Sequence, residues 1–189
     1  MNNELKINPL LLIEKYYEKG SKIYGILVSH GDQVKNKALE IAERHFELQL
    51  DKQFIAEASM LHDIGIFMCD APRIYCYGAH TYIEHGYLGA EILREEGLYK
   101  HALVCERHTG VGISLEMILK NQLPLPHRDL LPMTYEEQLI CYADKFYSKT
   151  KPDETLSLQR IRTKLKKYGE LEVMRFNAWN ILFEGGKVF

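Results

Sequence analysis

Apolar residues recur along this chain at intervals of three and four, the spacing that lines one face of a helix. Val34, Ala38, Leu39, Ile41, Ala42 and Phe46 form one such stripe, and Phe54, Ile55, Ala58, Met60 and Leu61 form a second. A third contains Leu88, Ile92 and Leu93 with the small residues Gly89 and Ala90, and a fourth contains Leu139, Ile140, Ala143 and Phe146. Val173, Met174, Phe176, Trp179, Ile181, Leu182 and Phe183 continue the pattern near the C-terminus. No stretch alternates apolar and polar residues as a half-buried strand does. The chain is therefore read as all-α.

Punctuation residues divide these stripes. Asn8 before Pro9 marks a helix start, and Gly20 marks its stop. Ser21 can cap a segment over 22–28, and residues 29–33 read as a loop that places His30 at the front of the next helix. Asp51 caps the helix that ends in His62 and Asp63, with Gly65 suited to a left-handed terminator. Residues 66–78 mix apolar and aromatic side chains with Pro72 and Gly78, the composition of an ordered loop or lid. Gly89 inside a helix costs stability relative to Ala, which points to close backbone packing. A short helix from Tyr99 to Glu106 ends before Gly110 and Gly112. Residues 121–133 hold three of the six prolines and form the longest connector. Thr134 and Glu137 have the spacing of a capping box. Two more helices occupy 153–189, broken at Gly169. This organisation is read as a single domain over 1–189, with a core at about 20–150 and a C-terminal helical extension at about 151–189.

Composition narrows the class. A formal net charge of −2 is not the broad electrostatic footprint expected of a nucleic-acid-binding surface, and nucleic acid is not the expected partner. Leu10 to Ile13 is too short an apolar run for a membrane span. Cys69, Cys76, Cys105 and Cys141 form no CxxC pair, so reduced thiols in a cytoplasmic protein are expected. The composition does not fix an oligomeric state and is compatible with a homo-oligomer.

Eight histidines are many for this length, and their placement carries the chemistry. His30, His62-Asp63, His85, His108 and Asp144 each stand near a helix end or on a buried helix face. Buried carboxylates need a counter-charge, and a metal ion is one. In order and type these residues resemble the HD superfamily of metal-dependent phosphohydrolases. His62-Asp63-Ile64-Gly65 matches the HDIG signature literally, and the resemblance covers about residues 20–150. It implies an HD-domain helical bundle with additional C-terminal helices. His30, His62, Asp63 and Asp144 would bind a first divalent ion. Asp63 would bridge to a second ion held by His85 and His108 and would be the catalytic carboxylate. Iron, manganese, zinc or nickel suit such a mixed imidazole and carboxylate set. Two ions about 3.5–4 Å apart can activate a water for attack on phosphorus.

The implied function is hydrolysis of a phosphoester or phosphoanhydride bond in a nucleotide or other small phosphorylated molecule. A metal-binding HD-fold signalling or binding module with little turnover is the alternative. The segments His85 to Ala90 and Arg107 to Thr109 are similar to the branch that includes symmetrical diadenosine tetraphosphate hydrolases. Ile66 stands where many members carry a lysine, so the resemblance names no substrate. Arg107, Lys145 and Arg73 are candidates for holding phosphate, since arginine offers a planar bidentate fork. His45, His101 and His127 fall outside the pattern and are read as surface or boundary residues. The basic run from Arg160 to Lys167 is read as a solvated helix face.

Overall fold

The computed structural model describes residues 7–185. Among them the chain forms nine α-helices and one pair of two-residue strands, an all-α fold. Helix α1 (Pro9–Tyr16) starts where Asn8 accepts the amide protons of Leu10 and Leu11. Ser21 caps α2 (Lys22–Arg44) by accepting from the Tyr24 amide. Asp51 caps α3 (Lys52–Leu61) through the Phe54 amide. These short polar side chains satisfy backbone donors that a helix leaves unpaired in its first turn.

Helix α2 departs from the expected break over 29–33. It runs unbroken for 23 residues, and Leu27, His30, Gly31 and Val34 lie buried along one face. The polar interruption in the sequence is therefore a site face and a packing contact, not a loop. A Cβ on Gly31 would lie 3.1 Å from Met60 Cα, so the glycine lets α2 and α3 approach closely. His30 consequently projects from mid-helix, not from a loop-to-helix junction.

The segment after α3 contains the small β element that the hydrophobic pattern did not suggest. Strand β1 (Asp70–Ala71) pairs antiparallel with β2 (Cys76–Tyr77), Asp70 opposite Tyr77. Tyr75 turns the hairpin with φ at 60°, a left-handed conformation that a bulky residue rarely adopts. Helices α4 (His85–Glu95) and α5 (Tyr99–Arg107) then form a closely packed hairpin. Short α6 (Leu115–Lys120) leads into the connector, and α7 (Tyr135–Asp144) returns to the core. The capping box expected at Thr134 is half formed. Thr134 accepts from the Glu137 amide, but the Glu137 carboxylate binds the Met133 amide and Arg107 instead.

Helices α8 (Leu158–Leu165) and α9 (Glu170–Glu184) pack onto the core they follow. Ile161, Leu165, Phe176, Trp179 and Phe183 join residues of α2, α3 and α7 in one apolar cluster. Tyr142 is its centre, with ring centroids 5.2 Å from Phe176 and 5.7 Å from Phe183, and its hydroxyl donates to Asn180 Oδ1 at 2.9 Å. Fully burying each such aromatic contributes on the order of 1.5–3 kcal/mol, which explains why the extension is seated and not loose. A second apolar cluster joins α1, the start of α2, the end of α3, α4 and α5. His101 belongs to the interior and not to the surface or boundary, 8% exposed with Nε2 3.3 Å from Glu57. Among the described residues, no helix is long and apolar enough to cross a membrane.

Candidate metal centre

Six side chains distant in sequence meet where the ends of α3, α5 and α7 face α2 and the start of α4. Their convergence depends on two glycines. A Cβ on Gly65 would lie 2.3 Å from the His85 carbonyl oxygen and 2.4 Å from the Gly89 amide. A Cβ on Gly89 would lie 2.6 Å from Cys105 Sγ. Gly65 does not adopt the expected left-handed conformation, since its φ is −84°. Its role is the close approach that brings the His62-Asp63 turn against α4. The expected close packing at Gly89 is present.

Asp63, fully buried, directs its two oxygens to different histidines. Oδ2 lies 3.0 Å from His62 Nε2 and 3.3 Å from His30 Nε2. Oδ1 lies 3.2 Å from His85 Nε2 and 3.4 Å from His108 Nε2. Asp144 Oδ1 completes the first group at 2.8 Å from His30 Nε2 and 3.6 Å from His62 Nε2. All six are buried.

Three imidazoles are oriented by the same device. His62 Nδ1 donates to the Ser59 carbonyl at 2.6 Å, His85 Nδ1 to the Tyr82 carbonyl at 2.6 Å, and His108 Nδ1 to the Cys105 carbonyl at 2.7 Å. A carbonyl only accepts, so each Nδ1 carries a proton, and in the neutral ring each Nε2 is left with its lone pair. Yet the Nε2 atoms of His85 and His108 face one another at 3.0 Å. Two lone pairs at that distance repel unless a cation or proton stands between them. Both Asp63 oxygens and His62 Nε2 also lack a hydrogen bond of good geometry despite complete burial. Ligand atoms of His30, His62 and Asp144, and again of His62, Asp63 and His108, all lie within 4.8 Å of one another. This donor set fits divalent ions, with Asp63 shared between two groups.

Electrostatics agree with a site for positive charge. Burial would raise the Asp63 pKa, but His62 and Lys149 hold it well below the usual carboxylate range. Burial likewise opposes ionisation of Asp144, and Lys145 overcomes it. Burial depresses His108 to about 3 and lowers His30, keeping both neutral. Burial also works against the His62 imidazolium, but Asp63 and Asp144 outweigh it and raise that pKa to about 9. Buried thiols brace the surrounding backbone. Cys105 donates to the His62 carbonyl at 3.0 Å and Cys141 to the His108 carbonyl at 3.2 Å. Burial pushes the Cys141 pKa up to about 12, so it stays a thiol.

A cavity of about 680 Å³ opens beside Asp144. Arg73, Lys145, Lys149, Lys164 and Lys167 line it. Lys145 and Arg73 were expected as phosphate contacts. Arg107 is not so placed; it is held by Glu137 at 2.9 Å, which takes it out of that role. Lys149 had no sequence signal, because it sits in a turn past α7 with no periodic neighbours. Lys164 and Lys167 belong to the run expected to be a solvated face. Both are exposed, but they face this cavity. Residues 71–74, within the segment read as an ordered loop or lid, form part of the cavity wall.

Fold and centre together define an all-helical protein built around a buried histidine and aspartate cluster. The chain is 37% identical over 145 residues to Uncharacterized protein MJ0778 of Methanocaldococcus jannaschii, covering 71% of this chain and 77% of that protein. It belongs to the family of that archaeal protein. It is also 31% identical over 158 residues to a protein of Thermoplasma volcanium named tRNA (cytidine(56)-2′-O)-methyltransferase, and 29% identical over 140 residues to one of the same name from Picrophilus torridus. These matches cover 83% and 74% of this chain but 40% and 36% of the two methyltransferases. No family model and no solved structure matches.

These names correct two expectations. Phosphohydrolase activity does not follow, since the named relatives transfer methyl groups to tRNA. A cluster of ligands fixes what can be held, not which bond is broken. The expectation that nucleic acid is not a partner is overturned by the same names. The physical reason is that a net charge averages over the chain. Here −2 overall conceals five cations gathered around one cavity.

Proposed function

We propose that this chain is a metal-holding, RNA-binding domain that serves 2′-O-methylation of tRNA. The observation that carries the reading is the basic cavity directly beside the histidine and aspartate cluster, with Asp144 and Lys145 in its wall. Such a cavity suits a phosphate-rich strand, whose charge lysine and arginine neutralise. The names of the two methyltransferase relatives supply the class of RNA.

The chain's part is to hold the RNA, not to bind the methyl donor. The described residues contain one pair of two-residue strands. The crevice at the strand ends of an open parallel sheet, where nucleotide-like cofactors bind, has no counterpart in them. His30, His62, Asp63 and Asp144 would hold one divalent ion, and Asp63, His85 and His108 a second. An ion there supplies positive charge to phosphate or ribose oxygens at the cavity mouth. Lys145 and Lys149 neutralise the carboxylates from the cavity side. Lys164, Lys167 and Arg73 remain to meet phosphates. With no CxxC pair and four buried free thiols, we place the protein in the cytoplasm, where thiols stay reduced.

Filter binding of an unmodified tRNA transcript tests this. The protein loaded with Mn²⁺ should retain tRNA with an affinity that falls steeply with salt. Lys164→Ala combined with Lys167→Ala should weaken binding roughly tenfold at moderate salt. Failure to retain tRNA even at low salt would remove the proposal.

A further inference from the structure

A second cavity, of about 300 Å³, lies next to the basic one. Ile83, Val111, Ile113, Met117 and Leu123 give it largely apolar walls, with Thr109 (the neighbour of His108), Asn121 and the buried Glu172 as its polar lining. It shares Leu165, Lys167 and Tyr168 with the basic cavity. The two cavities thus adjoin around the end of α8 and share part of their walls, one basic and one largely apolar.

We infer that they form a two-part site for an unpaired nucleotide of an RNA strand, phosphate in the basic cavity and base in the apolar pocket. This rests on the RNA-binding reading above and names the part of the RNA that is read. The apolar pocket is large enough to hold a small planar ligand, at the lower bound of typical ligand cavities. Its position next to the cavity lined by Lys164, Lys167 and Arg73 points to an occupant that is apolar at one end and anionic at the other. A nucleotide in a strand has that polarity, with phosphates on both sides to follow the lysines. A base in a duplex is stacked above and below and cannot enter a walled pocket, so the strand must be single or splayed there. Tyr168, 67% exposed at the junction, offers a ring on which a neighbouring base can stack.

The test compares a fluorescent single-stranded RNA 12-mer with the same sequence in a blunt duplex, both by anisotropy on the Mn²⁺-loaded protein. The single strand should bind roughly tenfold more tightly, the scale of one stacked base. Met117→Trp fills the pocket and should abolish that preference and weaken tRNA binding, while leaving salt-dependent binding of the duplex unchanged. Asn121→Trp, at an exposed position on the pocket rim, should do the same without touching the core. Lys164→Ala with Lys167→Ala should weaken both RNAs. RNA binding with no single-strand preference, or a preference that survives both tryptophan variants, overturns this inference and leaves the broader reading standing. Absence of binding to any RNA overturns both.

Discussion

Lys149 Nζ lies 2.6 Å from Oδ2 of Asp63, the oxygen that also faces His62 and His30. The lysine places a positive charge against a fully buried carboxylate, and that carboxylate raises the lysine pKa in spite of burial. Removing one partner of a buried pair strips charge compensation from the other, and here, among the described residues, leaves Asp63 to His62 alone. Lys149→Ala should therefore destabilise chelator-treated protein by about 3 kcal/mol. The loss should be smaller with Mn²⁺ present, because the ion supplies the missing charge. Thermal unfolding with and without EDTA measures both, and equal losses in the two conditions would contradict the account.

Metal should stabilise the fold. An ion present at a hundred times its dissociation constant adds about 2.7 kcal/mol. For a chain of this size, that is on the order of 5–10 °C in Tm. EDTA should lower Tm by that amount, and Mn²⁺ or Zn²⁺ should restore it. Asp63→Ala should abolish the response and the bound metal measured by elemental analysis. Metal content should also fall in acid, since protonated imidazole cannot ligate. An unchanged metal count in Asp63→Ala would remove the proposed role of that residue.

Gly65 tests the packing that assembles the cluster. The atoms nearest an added methyl group are the backbone of His85 and Gly89, which cannot swing aside. Gly65→Ala should cost about 3 kcal/mol, the upper range for overpacking. It should also weaken metal binding, because α4 must shift to admit the methyl. Near-native stability measured by urea unfolding would refute the role of this contact.

His45 gives a pH dependence away from the centre. Its Nδ1 meets Glu47 at 2.6 Å and its Nε2 meets the Phe183 carbonyl at 2.9 Å, tying the end of α2 to the end of α9. The Glu47 and Phe183 partners raise its pKa above the ordinary value of 6.5. A raised folded pKa means that this stabilisation is fully present below pH 6.5. It is lost as pH rises through the higher folded value. The stability difference between the parent protein and His45→Gln should therefore be largest near pH 5.5 and shrink by pH 8.5. A difference that grows with pH would refute the sign.

Much of the helical plan was legible because it follows from local chemistry. Asn8, Ser21, Asp51 and Thr134 each cap where a short polar side chain precedes an apolar stripe. The break expected in α2 was misplaced because polar residues facing a buried site look like a loop. His80 lies five residues before His85, and a motif between them separates their roles. Thr81 and Glu84 form a full capping box that starts the turn leading into α4 and sets His85 inward, while His80 pairs with Glu84. Lys149, Lys164 and Lys167 were not legible as site residues. Their common cavity depends on how α8 packs against the turn after α7, a long-range relation with no local periodicity.

The three imidazoles bonded to carbonyls three residues earlier have a consequence for dynamics. Each ring closes off a main-chain acceptor at the end of a helical turn while offering its other nitrogen to the centre. Fraying of the last turn of α3 or of α5 must swing a ligand away, and loss of the ion must loosen those turns. Amides scattered over three separate segments should thus exchange with solvent as one unit, their protection rising and falling together with occupancy of a site none of them touches.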